Sequence, residues 1–572
     1  MKKIKYLALA SLVALGVTSC GDFGDVNINP EQLNEGNVPM QMVFTNAQHQ
    51  ALGSDWDVWR NGCIYLSQIN QHVNAGGWWW SYALNSFSDG YASSYWDAVY
   101  SGGRGAVYHT QLALDKWEGD EAHANDYQAA RVVRVYLFHR LTDLHGDIPY
   151  SQASKPAEFP YPEYDTQESI YTDMLDVLDK AYTSFKGNLE MGAADVYFQG
   201  DAAKWKKFTN SLMLRLAMRL VKVDEAKAKK YVALAASRDL ILTNDDDAYL
   251  AHAGGSMDDD SSEPYAKIYS HADCGTGFIS DVFMNYLKAN NDPRVGLIGC
   301  VVSGSTDTGE AVVNKSWNNG AFSKGSCDPA LQQGLPGPAS FSATSGWFVG
   351  KIDTRFGVTD DAAAELDAFK GRTYTVNVEA DANYYKKHFS TVNRNTYGDP
   401  EAPTFIITAA ETNLLLAEAV VRGYISGNAE TYYNNGVKAA IVQFQKFPNM
   451  TAQQKEWCTT AAAEAYLAAN PYDAANAMEQ INMQYWATTF CDEYESFANW
   501  RRSGIPAVKF NPAGLPQDRI DALGNAYTAG PIHRFPYSGG EATGNYENWN
   551  KAKARMGSVE NEFDGVHVWW DK

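Results

Sequence analysis

Two stretches of the chain hold side chains whose type and spacing could do chemistry. Gly76-Gly77-Trp78-Trp79-Trp80-Ser81-Tyr82 sets three indoles in succession. Alternate strand residues point to opposite sides, and consecutive helical ones spread over roughly 200°, so three neighbours cannot share one face. At least one ring is therefore expected to be exposed or to line a cleft. An indole face packs on the C–H surface of a sugar ring, and its N–H adds a polar handle. Asp89, with Asn74 and Asn85, could hold hydroxyl groups, and Tyr91, Tyr95 and Trp96 extend the aromatic supply. The candidate ligand-binding residues here are Trp78, Trp79, Trp80, Tyr82, Asp89 and Trp96. Trp317 and Trp347, with Phe341, form a second supply further along. The competing reading packs these rings into the core or against a partner surface.

The second stretch is the N-terminus. Met1-Lys2-Lys3-Ile4-Lys5 is cationic, Tyr6 to Val17 is mainly apolar, and Val17-Thr18-Ser19-Cys20 closes the stretch. This reads as a secretory signal peptide, 1–19, whose apolar part is too short to span a bilayer. A cysteine at the cut suits lipid transfer to its thiol. Three acyl chains at Cys20 would hold far more firmly than one myristoyl group. Residues 20–40, rich in Gly, Asn, Asp and Pro, then read as a flexible tether.

Other chemistry finds no motif. His109, His139 and His145 lack an H-E-x-x-H pattern, and there is no G-x-S-x-G or P-loop. Asp245-Asp246-Asp247 and Asp258-Asp259-Asp260 lack EF-hand spacing and read as solvated acidic loops. The expectation is no catalytic residue, no metal and no cofactor. A net charge of −21, which loss of Lys2, Lys3 and Lys5 makes more negative, disfavours nucleic acid and leaves neutral ligands untouched. Beyond Cys20, the cysteines at 63, 274, 300, 327, 458 and 491 are too widely spaced to imply a pairing.

The elements that must position such residues are mostly helical. Ala129, Val132, Val133, Tyr136, Leu137 and Leu141 recur at helical spacing, with Arg131, Arg134 and Arg140 on other positions, and the helix stops at His145-Gly146-Asp147-Ile148-Pro149. Asp165 and Glu168 have capping-box spacing before a second helix, as do Thr408 and Glu411 before another. Further helices are predicted over 202–221, about 429–445 and 477–502. Such amphipathic helices must stack in antiparallel pairs, which is a TPR-like architecture without a strict 34-residue repeat. Asp147 is expected to brace a turn, and Arg501 and Arg502 to pair with acids on adjoining helices. The domain reading is a mostly α scaffold over about 41–243 and 404–505. A loop-rich inserted lobe covers about 244–403, and an irregular tail 506–572.

Five segments in order resemble one family, the SusD-like (SusD/RagB) nutrient-binding lipoproteins of Bacteroidota outer membranes. They are Asp22-Phe23 through Asn29-Pro30 after the lipobox, Ala130–Tyr136 leading into His145–Tyr150, Lys204–Leu212, Thr408–Ala419, and Glu495–Pro506. The resemblance implies a TPR-like lid on a TonB-dependent, SusC-like barrel, lipid-anchored on the outer membrane and non-enzymatic, with an oligosaccharide or polysaccharide as cargo. Three other readings stay open: the same lid with peptide or other nutrient cargo, a surface glycoside hydrolase using paired carboxylates, and a helical scaffold without a small ligand.

Overall fold

The computed structural model describes residues 38–75, 88–101, 105–255, 261–270, 277–301, 326–334, 390–507, 532–558, 563 and 565–572. Ten helices build the frame: α1 (Met40–Gln50), α2 (Ala106–Trp117), α3 (Ala124–His145), α4 (Gln167–Ser184), α5 (Ala202–Arg219), α6 (Glu225–Ala236), α7 (Ala409–Val421), α8 (Ala429–Val442), α9 (Ala477–Thr488) and α10 (Glu493–Ser503). Neighbours in sequence pack together: α1 on α2, α2 on α3, α3 on α4, α4 on α5, α5 on α6, and α7 on α8. Each apolar stripe is thus covered by the next helix, as the TPR-like reading expects. No helix among the described residues is long and apolar enough to cross a membrane.

The predicted stripe of α3 is fully buried from Ala129 to Leu141. The helix ends at Gly146, whose φ of +83° suits glycine and where a Cβ would meet Met556 Sδ at 2.7 Å. Arg140, expected on an outer position, is instead drawn inside. It bonds Asp492 at 3.1 Å and lies over the Tyr136 and Tyr494 rings.

Three local expectations need correction. The cap of α4 is Thr166, which accepts from Ser169 N, one residue after the Asp165/Glu168 box. Asp165 belongs to a short strand and accepts from the backbone N–H groups of Tyr150 and Ser151. The helix expected over 477–502 is two helices, α9 and α10, parted where Cys491 adopts φ +65°. The Thr408/Glu411 box forms by half. Thr408 caps α7, but Glu411 turns its carboxylate to Arg215.

Strands are few and short. β1 (Val73–Ala75), β2 (Ile148–Pro149), β3 (Tyr164–Asp165), β4 (Ala248–Leu250), β5 (Gly277–Ile279), β6 (Gly299–Cys300), β7 (Thr391–Val392) and β8 (Thr404–Ile407) make one four-stranded antiparallel sheet, β1-β5-β7-β6, and two pairs, β2-β3 and β4-β8. The four-stranded sheet ties the stretch before the tryptophan triplet to the lobe expected to be loop-rich. That lobe therefore has strand and helix of its own within its described residues.

A buried ionic network locks the helices. Arg215 of α5 donates to both oxygens of Glu411 at 2.6 Å, and Arg219 is paired with Glu495 of α10 and Asp143 of α3. Tyr485 and Trp570 complete those carboxylates, at 2.6 and 2.9 Å. Arg502 grips both oxygens of Glu418, and Arg422 adds a 2.7 Å bond. The expected acid pairing thus holds for Arg502. Arg501 instead donates to the carbonyls of Phe497 and His533 and lies over Phe497 and Trp570. Asp147 braces a turn as expected, accepting from Gln167 N at 2.9 Å and Arg555 Nε at 2.5 Å.

Candidate functional site

Between α1 and β1 the chain makes a short turn of α-helix, Asp55–Asp57, and then a nine-residue π-helix, Val58–Leu66. π-Helical geometry is rare and concentrates at functional positions. Gly62 lets the π-helix approach the segment 264–270, since a Cβ there would lie 2.8 Å from Tyr265 Oη. This unusual element stacks an aromatic group at the surface. Trp56 is 58% exposed. Its ring lies 5.4 Å from that of Trp59, which in turn lies 5.7 Å from Tyr91. The Arg60 guanidinium sits 5.2 Å from the Trp56 ring and 5.3 Å from the Tyr91 ring. Cation–π attraction on both sides fixes these rings before any ligand arrives.

The same turn borders a cavity of about 620 Å³, large enough for a small sugar. Ser54, Asp57, Asn46 and Gln50 line one part, and His252, Ser261, Lys267 and Thr404 another, with Leu52, Val99 and Leu250 as apolar wall. Asp57 is buried and accepts from Ser54 N, Ser54 Oγ and Ser94 Oγ at 3.0, 2.7 and 2.9 Å. Burial raises its pKa and those hydrogen bonds oppose the rise. His252 Nε2 lies 2.9 Å from Thr404 Oγ1, which donates to Glu263 Oε1 at 3.0 Å. Burial lowers the His252 pKa to about 4 and raises that of Glu263 to about 8. At neutral pH this chain of groups is uncharged. Beside these groups the cavity presents hydroxyl and amide side chains together with the Asp57 carboxyl and the Lys267 amine, donors and acceptors that can hydrogen-bond a polyhydroxylated ligand.

The residues predicted from sequence divide three ways. Trp78, Trp79, Trp80, Tyr82, Trp317 and Trp347 lie outside the described residues, as do Cys20 and Asp258–Asp260. Asp89 is exposed in the first turn of a short helix and accepts from Gly539 N at 3.1 Å, leaving its second oxygen available. Trp96 is a correction. It is 2% exposed and packed among Tyr100, His145, Tyr164 and Tyr537, so its ring offers almost no face to a ligand. Asp246 and Asp247, expected in a solvated loop, are tied down. Lys207 holds Asp246 at 2.8 Å and Asp247 accepts from Ala409 N at 2.7 Å.

Sequence reasoning passed over Trp56 and Arg60. The signal was present in Asp55-Trp56-Asp57-Val58-Trp59-Arg60, where Trp56, Trp59 and Arg60 recur at helical i, i+3, i+4 spacing with acids between them. Elsewhere among the described residues, His533, His567 and Asp571 come close together. The two imidazoles stack 3.7 Å apart, and both Nδ1 atoms lie on one Asp571 oxygen, at 2.6 and 3.1 Å. Both Nδ1 atoms thus hydrogen-bond Asp571, and His567 Nδ1 also lies 2.8 Å from its main-chain carbonyl oxygen.

Comparison with known proteins gives one consistent result. The sequence profile of the SusD-like proteins described as "Starch-binding associating with outer membrane" matches residues 32–320 and 354–521. No curated protein matches the chain. Among solved structures, a chitin-binding protein is similar at 26% identity and a TM-score of 0.70, over 93% of this chain and 100% of its own. A Bacteroidetes SusD-like protein is similar at 25% identity and a TM-score of 0.71, over 94% and 100%. A chitin-binding SusD homolog from Flavobacterium johnsoniae shares the fold at 19% identity and a TM-score of 0.64, over 93% and 98%.

Proposed function

The chain belongs to the SusD-like family, and from that premise we propose that it is a cell-surface lipoprotein that captures a glycan without cleaving it and hands it to a TonB-dependent, SusC-like transporter. The observation that carries the glycan reading is the exposed Trp56 ring, held by Arg60 in the Trp56–Trp59–Tyr91 cluster, on the same helical turn as Asp57, which lines the 620 Å³ cavity. A sugar ring would lie on the indole face through its C–H bonds, and Arg60, Asp89 and the cavity side chains would meet its hydroxyl groups. Trp78, Trp79, Trp80 and Tyr82 follow β1 directly in sequence and would extend that surface. The chitin-binding relative at 26% identity makes a glycan of N-acetylated amino sugars the first ligand to try.

The anchor and partner follow from the family premise. Cys20 would carry the lipid in the outer membrane, and residues 21–39 would be the leash. Such a tether keeps the domain beside its barrel at high effective concentration while leaving it free to swing as a lid.

Affinity electrophoresis of the full chain in gels holding chitin oligomers, starch or other polysaccharides tests the reading. Retardation by at least one glycan is expected, with weaker retardation for Trp56→Ala and Trp79→Ala at unchanged melting temperature. No retardation in any glycan, with peptides co-purifying by mass spectrometry, would move the cargo to peptide. Release of reducing sugar by the protein alone would make it a hydrolase.

A further inference from the structure

We propose that Cys300 and Cys327 form a cross-strand disulfide when the protein folds in an oxidising compartment. Beyond β6, Val301 pairs antiparallel with Ser326. Val301 N donates to Ser326 O at 3.0 Å, and Ser326 N donates to Val301 O at 2.7 Å. This is the doubly bonded pair of an antiparallel ladder. Continued by one residue, this bridge sets Cys300 opposite Cys327, and because pairs alternate along an antiparallel ladder that pair would be of the non-hydrogen-bonded kind. There the Cα atoms approach to about 4.5 Å and side chains on one face lie closest. A disulfide spans Cα separations of about 4.4–6.8 Å, a range that includes the spacing of such a pair.

Packing agrees with register. Cys300 is 2% and Cys327 7% exposed, and the two pack as one cluster with Trp457 against them. Both carry thiols in this structure. On the other edge of β6, Cys300 is paired with Thr391 of β7, so one partner strand is held in the sheet. Cys63, Cys458 and Cys491 are placed by helix and turn segments, with no ladder setting them opposite another cysteine among the described residues.

The chemistry balances with one co-reactant, the disulfide of an envelope dithiol–disulfide oxidoreductase. A thiolate of the pair attacks that disulfide, giving a mixed disulfide and releasing one thiolate of the oxidant. The second cysteine then attacks the mixed disulfide, forming the Cys300–Cys327 bond and releasing the other. Two electrons and two protons pass from the pair to the oxidant, which leaves as a dithiol. Such oxidants belong to the cell envelope, so closure in the cell rests on the export reading above.

The test is a peptide map of the full chain isolated from the cell envelope. The protein is unfolded in iodoacetamide without reductant and digested with trypsin. Cleavage after Lys315 and Lys324 separates the two cysteines. A cross-linked species of peptides 295–315 and 325–351 is expected. It should vanish on reduction and be absent from the Cys300→Ser/Cys327→Ser variant. A second readout is thermal: reductant should lower the melting temperature by roughly 3 °C in the parent and leave the double variant unmoved. The same map on full chain folded in a cell-free mixture with oxidised glutathione separates the two readings. A linked pair there, with alkylated thiols in envelope protein, supports the disulfide and counts against an oxidant acting on the exported chain. Alkylated Cys300 and Cys327 in both samples, or linkage of either to another cysteine, overturns the disulfide whatever becomes of the export reading.

Discussion

Two fully buried glutamates sit in the two halves of this molecule that matter most, and they carry opposite charge states. Glu418, in the helical frame, is gripped by Arg502 and Arg422. Burial works to raise its pKa, but the guanidinium groups outweigh it and hold the value at about 2. Glu263, behind the cavity, faces the Ala266 N–H and the Thr404 hydroxyl, and burial lifts it to about 8. At Glu418 the frame buries a charge and compensates it with a bidentate pair. At Glu263 burial is answered by a backbone N–H and a hydroxyl, and the acid stays neutral at pH 7. One region is built to be unique, the other to be read by an uncharged ligand.

The largest expected effect breaks the frame. Arg502→Met leaves Glu418 buried with only the half-exposed Arg422 as cation and should cost about 3–5 kcal/mol in urea or thermal unfolding. Stability from Glu418 is present above its unfolded pKa of 4.5 and is lost as pH falls through the folded value near 2. Acid unfolding should therefore be steeper across that window in the parent than in the variant. Equal slopes would show that the pair is ionically idle.

Glu263→Gln sharpens the contrast from the other side. Between pH 4.5 and about 8 the unfolded chain loses this proton while the folded one keeps it, so stability declines as pH rises through that range. The variant cannot ionise at this position and should lose fewer degrees of melting temperature than the parent from pH 5 to 8. A parallel fall in both would mean that Glu263 is ionised in the fold.

The same contrast explains what was legible in the sequence. Four of the segments that resemble the family hold buried frame residues: Tyr136 and Asp147, Trp205 and Phe208, Glu411 and Glu418, Glu495 and Arg502. These positions obey helical periodicity and pairing rules, so helix after helix was readable, with errors at caps and at the split near Cys491. Thr166 took the cap from Asp165 because the acid serves two strand N–H groups. The split at Cys491 left no trace, since nothing in its side chain announces a positive φ. The three-residue strands were invisible because each exists only through partners distant in sequence. Trp96 was misassigned for a related reason. An aromatic in a cluster reads the same whether it faces ligand or core, and only the fold put His145, Tyr164 and Tyr537 around it.

Moving to the site, Trp56→Ala should weaken glycan binding about tenfold while changing stability by less than about 1 kcal/mol, because the side chain is more than half exposed. Calorimetry and a melting curve on the same sample check both halves. Loss of stability without loss of affinity would return Trp56 to a packing role.

The smallest effect is expected where the two regions touch, at Asp89. One carboxylate oxygen accepts from Gly539 N at 3.1 Å, tying the aromatic stretch to the C-terminal tail. The other is available to a ligand hydroxyl. Asp89→Asn keeps an oxygen for the Gly539 N–H, so unfolding should shift by less than about 0.5 kcal/mol. What the substitution removes is charge on the remaining acceptor, and a hydrogen bond to a neutral acceptor is weaker than one to a carboxylate. Affinity should fall about threefold. Burial raises the Asp89 pKa, the Gly539 hydrogen bond opposes the rise, and nearby Asp97 adds to it. As pH falls through that raised value the parent should weaken toward the variant, whose affinity should stay level across the same range. If both proteins bind alike at every pH, Asp89 serves the turn alone.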